Sequence, residues 1–341
     1  MIAIICNILL LNFARSLGIR NKNDIVVRWS NESKPSLGGV SFYVVFLLAA
    51  IIFSILYDDV NIFRNKQFVG LFAAGSMAFL MGLGDDAYNT RPLLKLFVQI
   101  SCGVLLAATG TVIDLFHIPI ADQLITVIWT VIVMNSLNML DNMDGISGTT
   151  VFFILLSCLI SSWIIFDFNT NIWSVLMCAV IGVMVGFLSM NIYPSKLFMG
   201  DAGSQFIGLF VAFFGIKFLW NVGTESELPS WLGFCVTLVA FTPTAVDTLT
   251  VVINRLKKGQ SPFIGGKDHT THHLVYAGLS DRKVWLVFVL IGALSFVFSI
   301  AMVNLIKEKI YIPVLLSVAY SIFVFVLLYR NTIKYPERRE K

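Results

Sequence analysis

The stretch VWLVFVLIGALSFVFSIAMVN, residues 284–304, decides the fold class, because it runs for 21 residues without a charged side chain. About 20 apolar residues in a helix cross the roughly 30 Å hydrocarbon layer of a membrane. The sequence therefore predicts an all-α, polytopic integral membrane protein with about eleven transmembrane helices. The other ten apolar segments lie at approximately 1–17, 37–57, 67–84, 93–112, 120–140, 149–166, 172–190, 203–221, 231–253 and 311–329.

The overall composition agrees with a membrane protein. The chain has 341 residues, of which 57% are hydrophobic and 13% charged, whereas a soluble domain has about 25% charged residues. No cluster of basic residues interleaved with aromatics indicates nucleic-acid binding. The five cysteines lie in apolar segments without metal-ligand spacing, so we interpret them as small hydrophobic residues. We expect one domain, 1–341, whose first apolar segment is a retained helix and not a signal peptide.

The basic residues divide unevenly between the two sides of these helices. Eighteen lie in or beside the segments that follow the odd-numbered helices, and four lie on the other side. Positive charge accumulates on the cytoplasmic side, so we expect the N-terminus outside and the C-terminus in the cytoplasm. The predicted cytoplasmic segments also contain most polar candidate residues, and they are 18–36, 84–95, 135–148, 191–203, 254–283 and a basic tail at 330–341.

Two aspartates follow a glycine at the predicted inner end of the third helix, as Gly84-Asp85-Asp86. Carboxylates at a helix C-terminus oppose the helix dipole, at about 0.3–1 kcal/mol each. A cation or a proton-transfer role would offset that cost. A solvated helix end explains the pair equally well.

Polar residues recur every third position at the end of the fifth predicted helix: Asn135, Asn138, Asp141 and Asp144. Polar groups at membrane depth are costly unless they line a cavity. A helix break in the segment 142–145 would let the aspartates converge on a pocket. A frayed helix end explains Asp144 well but Asn135 poorly, so we favour a functional role.

Asp201 lies between Gly200 and Ala202, where the eighth predicted helix begins. An aspartate at this place is favourable as an N-cap for structural reasons alone, and locally we favour that interpretation. The same position also suits a carboxylate that holds Mg²⁺ beside phosphate oxygens.

The longest cytoplasmic segment carries Arg255 and three histidines, His269, His272 and His273. The spacing i, i+3, i+4 predicts that the histidines share one helix face. They bind either a metal such as Zn²⁺ or, with Arg255 and lysines, phosphate. Asp247, an ionisable residue inside a predicted span, is expected to brace Arg255.

These motifs, in this order, resemble the polyprenyl-phosphate N-acetylhexosamine-1-phosphate transferases, which form glycosyltransferase family 4. The resemblance extends from residues 34–39 to the histidine segment. It implies that a UDP-N-acetylhexosamine donates its sugar-1-phosphate to polyprenyl (undecaprenyl) phosphate and releases UMP. It also implies Mg²⁺ as cofactor, with Mn²⁺ as a substitute, and a location in the bacterial cytoplasmic membrane with the active site facing the cytoplasm. The product would begin a cell-surface glycan such as a cell-wall polysaccharide or lipopolysaccharide.

The resemblance also implies roles for individual residues. Asp201 would be the leading Mg²⁺ ligand and Asn138 a second one. Asp85 and Asp86 would be catalytic, orienting or deprotonating the acceptor phosphate or supporting the metal. The substrate-binding set would be Lys95, Asn135, Asp141, Asp144, Arg255, His269, His272 and His273.

Two positions depart from the family pattern. Asn142 stands where the family usually has glycine, and Thr270-Thr271 widens the usual His-x-His-His motif by one residue. The stretch 259–263 and the eleven-helix count are similar to the WecA/TagO branch, which generally uses UDP-GlcNAc. The alternative within the family is a phospho-MurNAc-pentapeptide transferase of peptidoglycan synthesis.

Two other classes of protein remain to be distinguished. A proton-coupled secondary transporter would use Asp247 and the polar residues of the fifth helix, but transporters place such groups near the membrane midplane and show repeats. A membrane zinc hydrolase would be built on the histidines. The sequence leaves a homodimer open.

Overall fold

The computed structural model describes residues 37–57, 61–166, 171–225, 228–262 and 265–336. The predicted helix at 1–17 and the predicted segment 18–36 lie outside these residues. The described elements are all helical. The main helices are α1 (Gly38–Leu56), α2 (Lys66–Tyr88), α3 (Pro92–Ala108), α4 (Pro119–Leu140), α5 (Ile146–Phe166), α6 (Ile172–Asn191), α7 (Gly200–Gly215), α8 (Trp231–Ala240), α9 (Thr242–Lys257), the short α10 (Thr270–Tyr276), α11 (Asp281–Lys307) and α12 (Ile312–Lys334).

The predicted apolar segments within the described ranges all coincide with helices, which confirms a polytopic all-α membrane protein. By length and composition, eight helices of the described chain are long and apolar enough to cross a membrane, counting α7 with its continuation Ile216–Trp220. The 17-residue α3 is shorter than these. A count of eleven stays a prediction. The first part of the predicted basic tail, 330–334, continues α12.

The helix predicted over 231–253 is broken in the structure, although its two parts together have the length and composition of one membrane span. The structure has two helices there, α8 and α9, which meet at an angle of 83°. Pro243 lies in the first turn of α9, where its missing N–H and its ring prevent continuation of the preceding helix. The Thr242 hydroxyl donates to the Val239 carbonyl oxygen at 2.8 Å within the bend. The bend directs α9 towards the polar end of the bundle.

Helix α7 is the centre of the bundle. It packs against α1, α2, α4 and α5, and every residue from 202 to 215 is buried. A helix that is apolar on all sides is expected to be buried in this way. The N-terminus of α7 therefore lies among the ends of its neighbours, and Asp201 is in its first turn.

Glycines allow two helices to approach the first turn of α7 closely. A Cβ atom at Gly82 of α2 would overlap the Asp201 carbonyl oxygen and the Ala202 Cα. A Cβ atom at Gly39 of α1 would overlap the backbone of Gly203. Small residues at crossings let membrane helices pack backbone to backbone. These contacts fix where Asp201 lies relative to the end of α2.

We predict that Gly82→Ala destabilises the protein by about 1–3 kcal/mol, because the new methyl group meets backbone atoms that cannot rotate away. Gly84→Ala is the matched control on the same helix, since no heavy atom lies within 4 Å of its Cβ position. Alanine there gains up to about 1 kcal/mol of helix propensity. Thermal unfolding of the purified protein in detergent measures both variants. Equal melting temperatures for the two variants would contradict the close approach at Gly82.

Candidate active site

Four predicted site residues meet where α2, α3, α4 and α7 end or begin. Lys95 Nζ lies 2.5 Å from Asp85 Oδ2 and 3.5 Å from Asp201 Oδ2. The Asp85 and Asp201 side chains are also within hydrogen-bonding reach of each other. Asn138 Nδ2 donates to Asp201 Oδ1 at 2.6 Å. We call Asp85, Lys95, Asn138 and Asp201 the carboxylate–lysine cluster.

Asp85 is oriented by the turn that follows α2. The chain leaves the helix through Asn89, which has a φ of 50°. Thr90 then donates to Asp85 Oδ1 from its backbone N–H at 2.8 Å and from its hydroxyl at 2.5 Å. With Oδ1 held by Thr90, Oδ2 is directed to Lys95. The lysine and these hydrogen bonds offset the unfavourable position of a carboxylate at a helix C-terminus.

The interpretation of Asp201 as an N-cap is wrong. Helix α7 begins one residue earlier, at Gly200. The side chain of Asp86, which belongs to α2, accepts hydrogen bonds from two backbone N–H groups in the first turn of α7. Asp86 Oδ1 accepts from the Asp201 N–H at 3.0 Å, and Oδ2 accepts from the Ala202 N–H at 2.9 Å. The cap therefore comes from another helix. Because Asp86 satisfies the N–H groups, the side chain of Asp201 is available to Lys95 and Asn138.

The helix break expected in the segment 142–145 is confirmed. Helix α4 ends at Leu140 with Asp141 as its C-cap, and Gly145 has a φ of 77°. Asp144 Oδ2 accepts from the Ser195 N–H at 3.0 Å. Asp144 thereby ties the break to the segment between α6 and α7. Asp141 lies on the same turn, beyond the last residue of α4.

Asn135 lies deeper in the bundle than the other polar residues of α4. Its Nδ2 donates to Gln99 Oε1 at 2.7 Å. Gln99 in turn donates to Gln205 Oε1 at 3.0 Å. Our reading of the sequence missed both glutamines. Their signal is spacing: each lies four residues after a member of the carboxylate–lysine cluster, Gln99 after Lys95 and Gln205 after Asp201.

A second polar group lies beside the bent helix α9 and consists of Arg255, Asp268, Asp247 and His269. The buried Arg255 donates to both oxygens of the buried Asp268, at 2.8 and 2.7 Å, and to the Pro262 carbonyl oxygen at 2.7 Å. Burial raises the pKa of Asp268, but the hydrogen bonds and charge of Arg255 outweigh it and hold that pKa below its usual range. A bidentate arginine–carboxylate pair is a rigid, charge-assisted contact.

The expectation that Asp247 braces Arg255 is wrong. Asp247 is fully buried, and its Oδ2 lies 2.8 Å from His269 Nδ1. Its Oδ1 accepts from the backbone N–H of Thr270 at 2.8 Å and from the Thr270 hydroxyl at 2.6 Å. Asp247 therefore orients the imidazole of His269 and fixes the start of α10.

The three histidines do not share one helix face. Helix α10 begins at Thr270, so His269 precedes it. The rings of His269 and His272 meet edge to face with centroids 5.4 Å apart, whereas His273 Nδ1 lies 2.6 Å from the Tyr335 carbonyl oxygen. Burial, together with the nearby His269, lowers the pKa of His272 to about 3. His272 is therefore neutral at pH 7 and brings no positive charge for phosphate binding.

The two departures from the family pattern contact each other. Asn142, in the break after α4, accepts a hydrogen bond on Oδ1 from the Thr271 hydroxyl at 2.7 Å. Asn142 also donates to the Met139 carbonyl oxygen at 3.0 Å, which keeps its side chain close to the end of α4. The pair joins the histidine segment to the helix that carries Asn138.

The carboxylate–lysine cluster fits Mg²⁺ shared with phosphate oxygens. Among the described residues, no group of three or more His, Cys, Asp or Glu side chains is arranged to hold a metal alone. Mg²⁺ usually takes one or two carboxylates and completes its shell with water and substrate phosphates. Asp85 and Asp201 are two acidic groups in direct contact, and a bound cation would relieve their repulsion.

The part of the chain that carries this site is similar to known proteins. Residues 68–219 match the model of glycosyl transferase family 4, and the carboxylate–lysine cluster lies within that range. The chain is 27% identical over 303 residues to a probable undecaprenyl-phosphate N-acetylglucosaminyl 1-phosphate transferase of Bacillus subtilis, covering 86% of this chain and 79% of the relative.

Two further relatives are similar over comparable lengths. A decaprenyl-phosphate N-acetylglucosaminephosphotransferase of Mycolicibacterium smegmatis is 27% identical, covering 78% of this chain and 71% of the relative. An undecaprenyl-phosphate alpha-N-acetylglucosaminyl 1-phosphate transferase of Yersinia pestis is 26% identical, covering 88% and 80%. The range that matches the family model includes the break after α4 and the first turn of α7. The chain is therefore similar to glycosyl transferase family 4 over residues 68–219 and to these transferases over most of its length.

Proposed function

We propose that the protein transfers N-acetylglucosamine-1-phosphate from UDP-GlcNAc to undecaprenyl or another polyprenyl phosphate and releases UMP. The observation that carries the proposal is the carboxylate–lysine cluster, in which Lys95 contacts two carboxylates at the ends of apolar helices. A charged site at the end of membrane helices suits a reaction between a soluble diphosphate and a lipid phosphate. The activities for which these relatives are named support the same reaction and the same sugar.

Each residue of the carboxylate–lysine cluster has a separate role in phosphoryl transfer. This reaction requires the protein to position the two phosphates and neutralise their charge more than to form covalent bonds. Lys95 binds phosphate oxygens of the donor. Asp85 orients the acceptor phosphate and takes its proton where one is present. The acceptor oxygen attacks the phosphorus that carries the sugar, the bond from that phosphorus to the UMP oxygen breaks, and UMP leaves. Asp201 and Asn138 hold Mg²⁺, which when bound neutralises charge on the diphosphate.

The second polar group positions the nucleotide-sugar. Arg255 and the histidine segment lie beside the break that contains Asp141 and Asp144, and these residues form the donor side of the site. His269, held by Asp247 through a 2.8 Å hydrogen bond, presents its other ring nitrogen with a fixed orientation. The two closed pairs, Arg255–Asp268 and Asp247–His269, make this side rigid before substrate binds.

The proposal includes the orientation of the protein in the membrane. With eleven spans the N-terminus lies outside, and the site and the C-terminus face the cytoplasm of a bacterial cell. The distribution of eighteen basic residues against four supports this orientation, and UDP-sugars are soluble cytoplasmic donors. The whole chain then forms one catalytic domain in the cytoplasmic membrane.

We predict that the purified protein, given polyprenyl phosphate, Mg²⁺ and UDP-GlcNAc, releases UMP and forms polyprenyl-diphosphate-GlcNAc. Coupled detection of UMP and mass spectrometry of the lipid measure the two products. UDP-MurNAc-pentapeptide in a parallel reaction distinguishes the peptidoglycan alternative and is expected to give no product. If no UDP-sugar leads to release of UMP, the proposed reaction is wrong.

We predict that Asp201→Asn lowers kcat/KM on the order of 10²–10³-fold, because the variant lacks the carboxylate charge that would hold Mg²⁺, the cation that would stabilise the negative charge of the transition state. Its melting temperature stays unchanged or rises, since the variant keeps the volume and relieves the contact between two acids. Asp114→Asn, in the segment between α3 and α4, is the control and keeps wild-type activity. Retained activity in Asp201→Asn would remove this residue from the metal site while leaving the reaction intact.

We predict that Thr271→Val and Asn142→Ala each raise KM for UDP-GlcNAc about three- to tenfold, because a hydrogen bond contributes about 0.5–1.5 kcal/mol. The double variant is no worse than either single one, since both changes remove the same contact. Thr250→Val on the neighbouring α9 is the control, because its buried hydroxyl has no partner among the described residues. Additive effects of the two substitutions would contradict the coupling.

A further inference from the structure

Three side-chain amides form a layer beneath the carboxylate–lysine cluster, and we call Gln99, Asn135 and Gln205 the amide layer. Gln99 and Asn135 exchange two hydrogen bonds, of 2.7 Å from Asn135 Nδ2 to Gln99 Oε1 and 3.3 Å from Gln99 Nε2 to Asn135 Oδ1. Gln99 Nε2 also donates to Gln205 Oε1 at 3.0 Å. Each of the three residues comes from a different helix, α3, α4 or α7.

The amide layer repeats the cluster one helical turn away. Gln99 lies four residues after Lys95, and Gln205 lies four residues after Asp201. On α4, which runs in the opposite sense, Asn135 lies three residues before Asn138. Three or four residues make one turn, about 5 Å along the axis. The same three helices are therefore joined twice, once by the carboxylate–lysine cluster at the end of the bundle and once by the amide layer below it.

Stability alone does not account for this layer. Gln99 and Gln205 are each 1% exposed, and polar side chains inside a membrane bundle are costly and usually functional. In the described part of the protein, Gln205 Nε2 is buried without a hydrogen-bond partner. An unsatisfied buried donor opposes folding. An apolar residue at position 205 would remove that cost.

The geometry points to a positioning role: we propose that the amide layer sets the axial and rotational alignment of α3, α4 and α7, so that Lys95, Asn138 and Asp201 meet. Apolar side chains in lipid do not fix alignment well, because lipid tails solvate them equally. Directional amide bonds do, since a shift of one residue turns a helix by about 100° and breaks them. Asn135 then acts through Gln99 and not by touching substrate. The link to catalysis rests on the proposed function.

The test compares Gln205→Met and Gln99→Met with Ser299→Ala, which removes a buried interhelical hydrogen bond to Ser157 elsewhere. Gln205→Met removes the unsatisfied donor, so we expect it to fold with an unchanged or higher melting temperature. We expect kcat for UMP release to fall about tenfold or more while KM for UDP-GlcNAc changes less than twofold. The double variant Gln99→Met/Gln205→Met is expected to match Gln99→Met, because the amides act as one unit.

A second measurement does not depend on activity. Brief acetylation with acetic anhydride, followed by peptide mass spectrometry, gives the labelling rate of Lys95, with the exposed Lys66 as internal reference. Loss of alignment separates Lys95 from its carboxylates, so we expect labelling several-fold faster in Gln205→Met and unchanged in Ser299→Ala. Unchanged Lys95 labelling, or wild-type kcat, in folded Gln205→Met overturns the proposal. If the wild-type protein releases no UMP, the transferase proposal fails and the labelling result alone decides this one.

Discussion

The site depends on how the first turn of α7 is held. Asp86 accepts two of its backbone N–H groups from across the α2–α7 contact, and Gly82 allows the helices to touch there. A cap supplied by the same chain segment would fix only the helix end. A cap supplied by α2 also fixes the distance between that end and Asp85, the neighbour of Asp86. One adjacent pair of aspartates thus caps α7 and contacts Lys95, so the helix end and the carboxylate–lysine cluster are positioned by the same part of α2.

The charges of the two polar groups are balanced in different ways. In the second group each buried charge has a dedicated partner, Arg255 with Asp268 and Asp247 with His269. Removing one partner would leave an unpaired buried charge, which is strongly destabilising, so this group resists rearrangement. In the carboxylate–lysine cluster a single lysine, Lys95, contacts the carboxylates of both Asp85 and Asp201. Its balance is incomplete without further positive charge, as expected of a site that accepts a cation together with phosphates.

The sequence predicted the helices well because each span is a local property of 17 or more apolar residues. The clustering of polar site residues at one end of the helices was also predicted, because the excess of basic residues and the polar motifs fall in the same segments of the sequence. The hydrogen-bond partner of each polar side chain was not predictable in this way. Asp247 contacts His269, which lies 22 residues further along the chain, because the histidine segment packs against α9, and an apolar run contains no signal for that packing. Asp86 caps a helix 115 residues away, a relation that becomes visible only when α2 and α7 are packed together.

Asn142 and Thr271, the two places where the motifs depart from the pattern that they resemble, form a hydrogen bond with each other. A side chain in place of glycine after Asp141 adds an amide that needs partners near the membrane surface. The extra threonine that widens the histidine motif supplies a hydroxyl to that amide at 2.7 Å. Either change alone would leave a polar group without this contact and α10 without its link to α4. Together they connect the histidine segment to the end of the helix that carries Asn138.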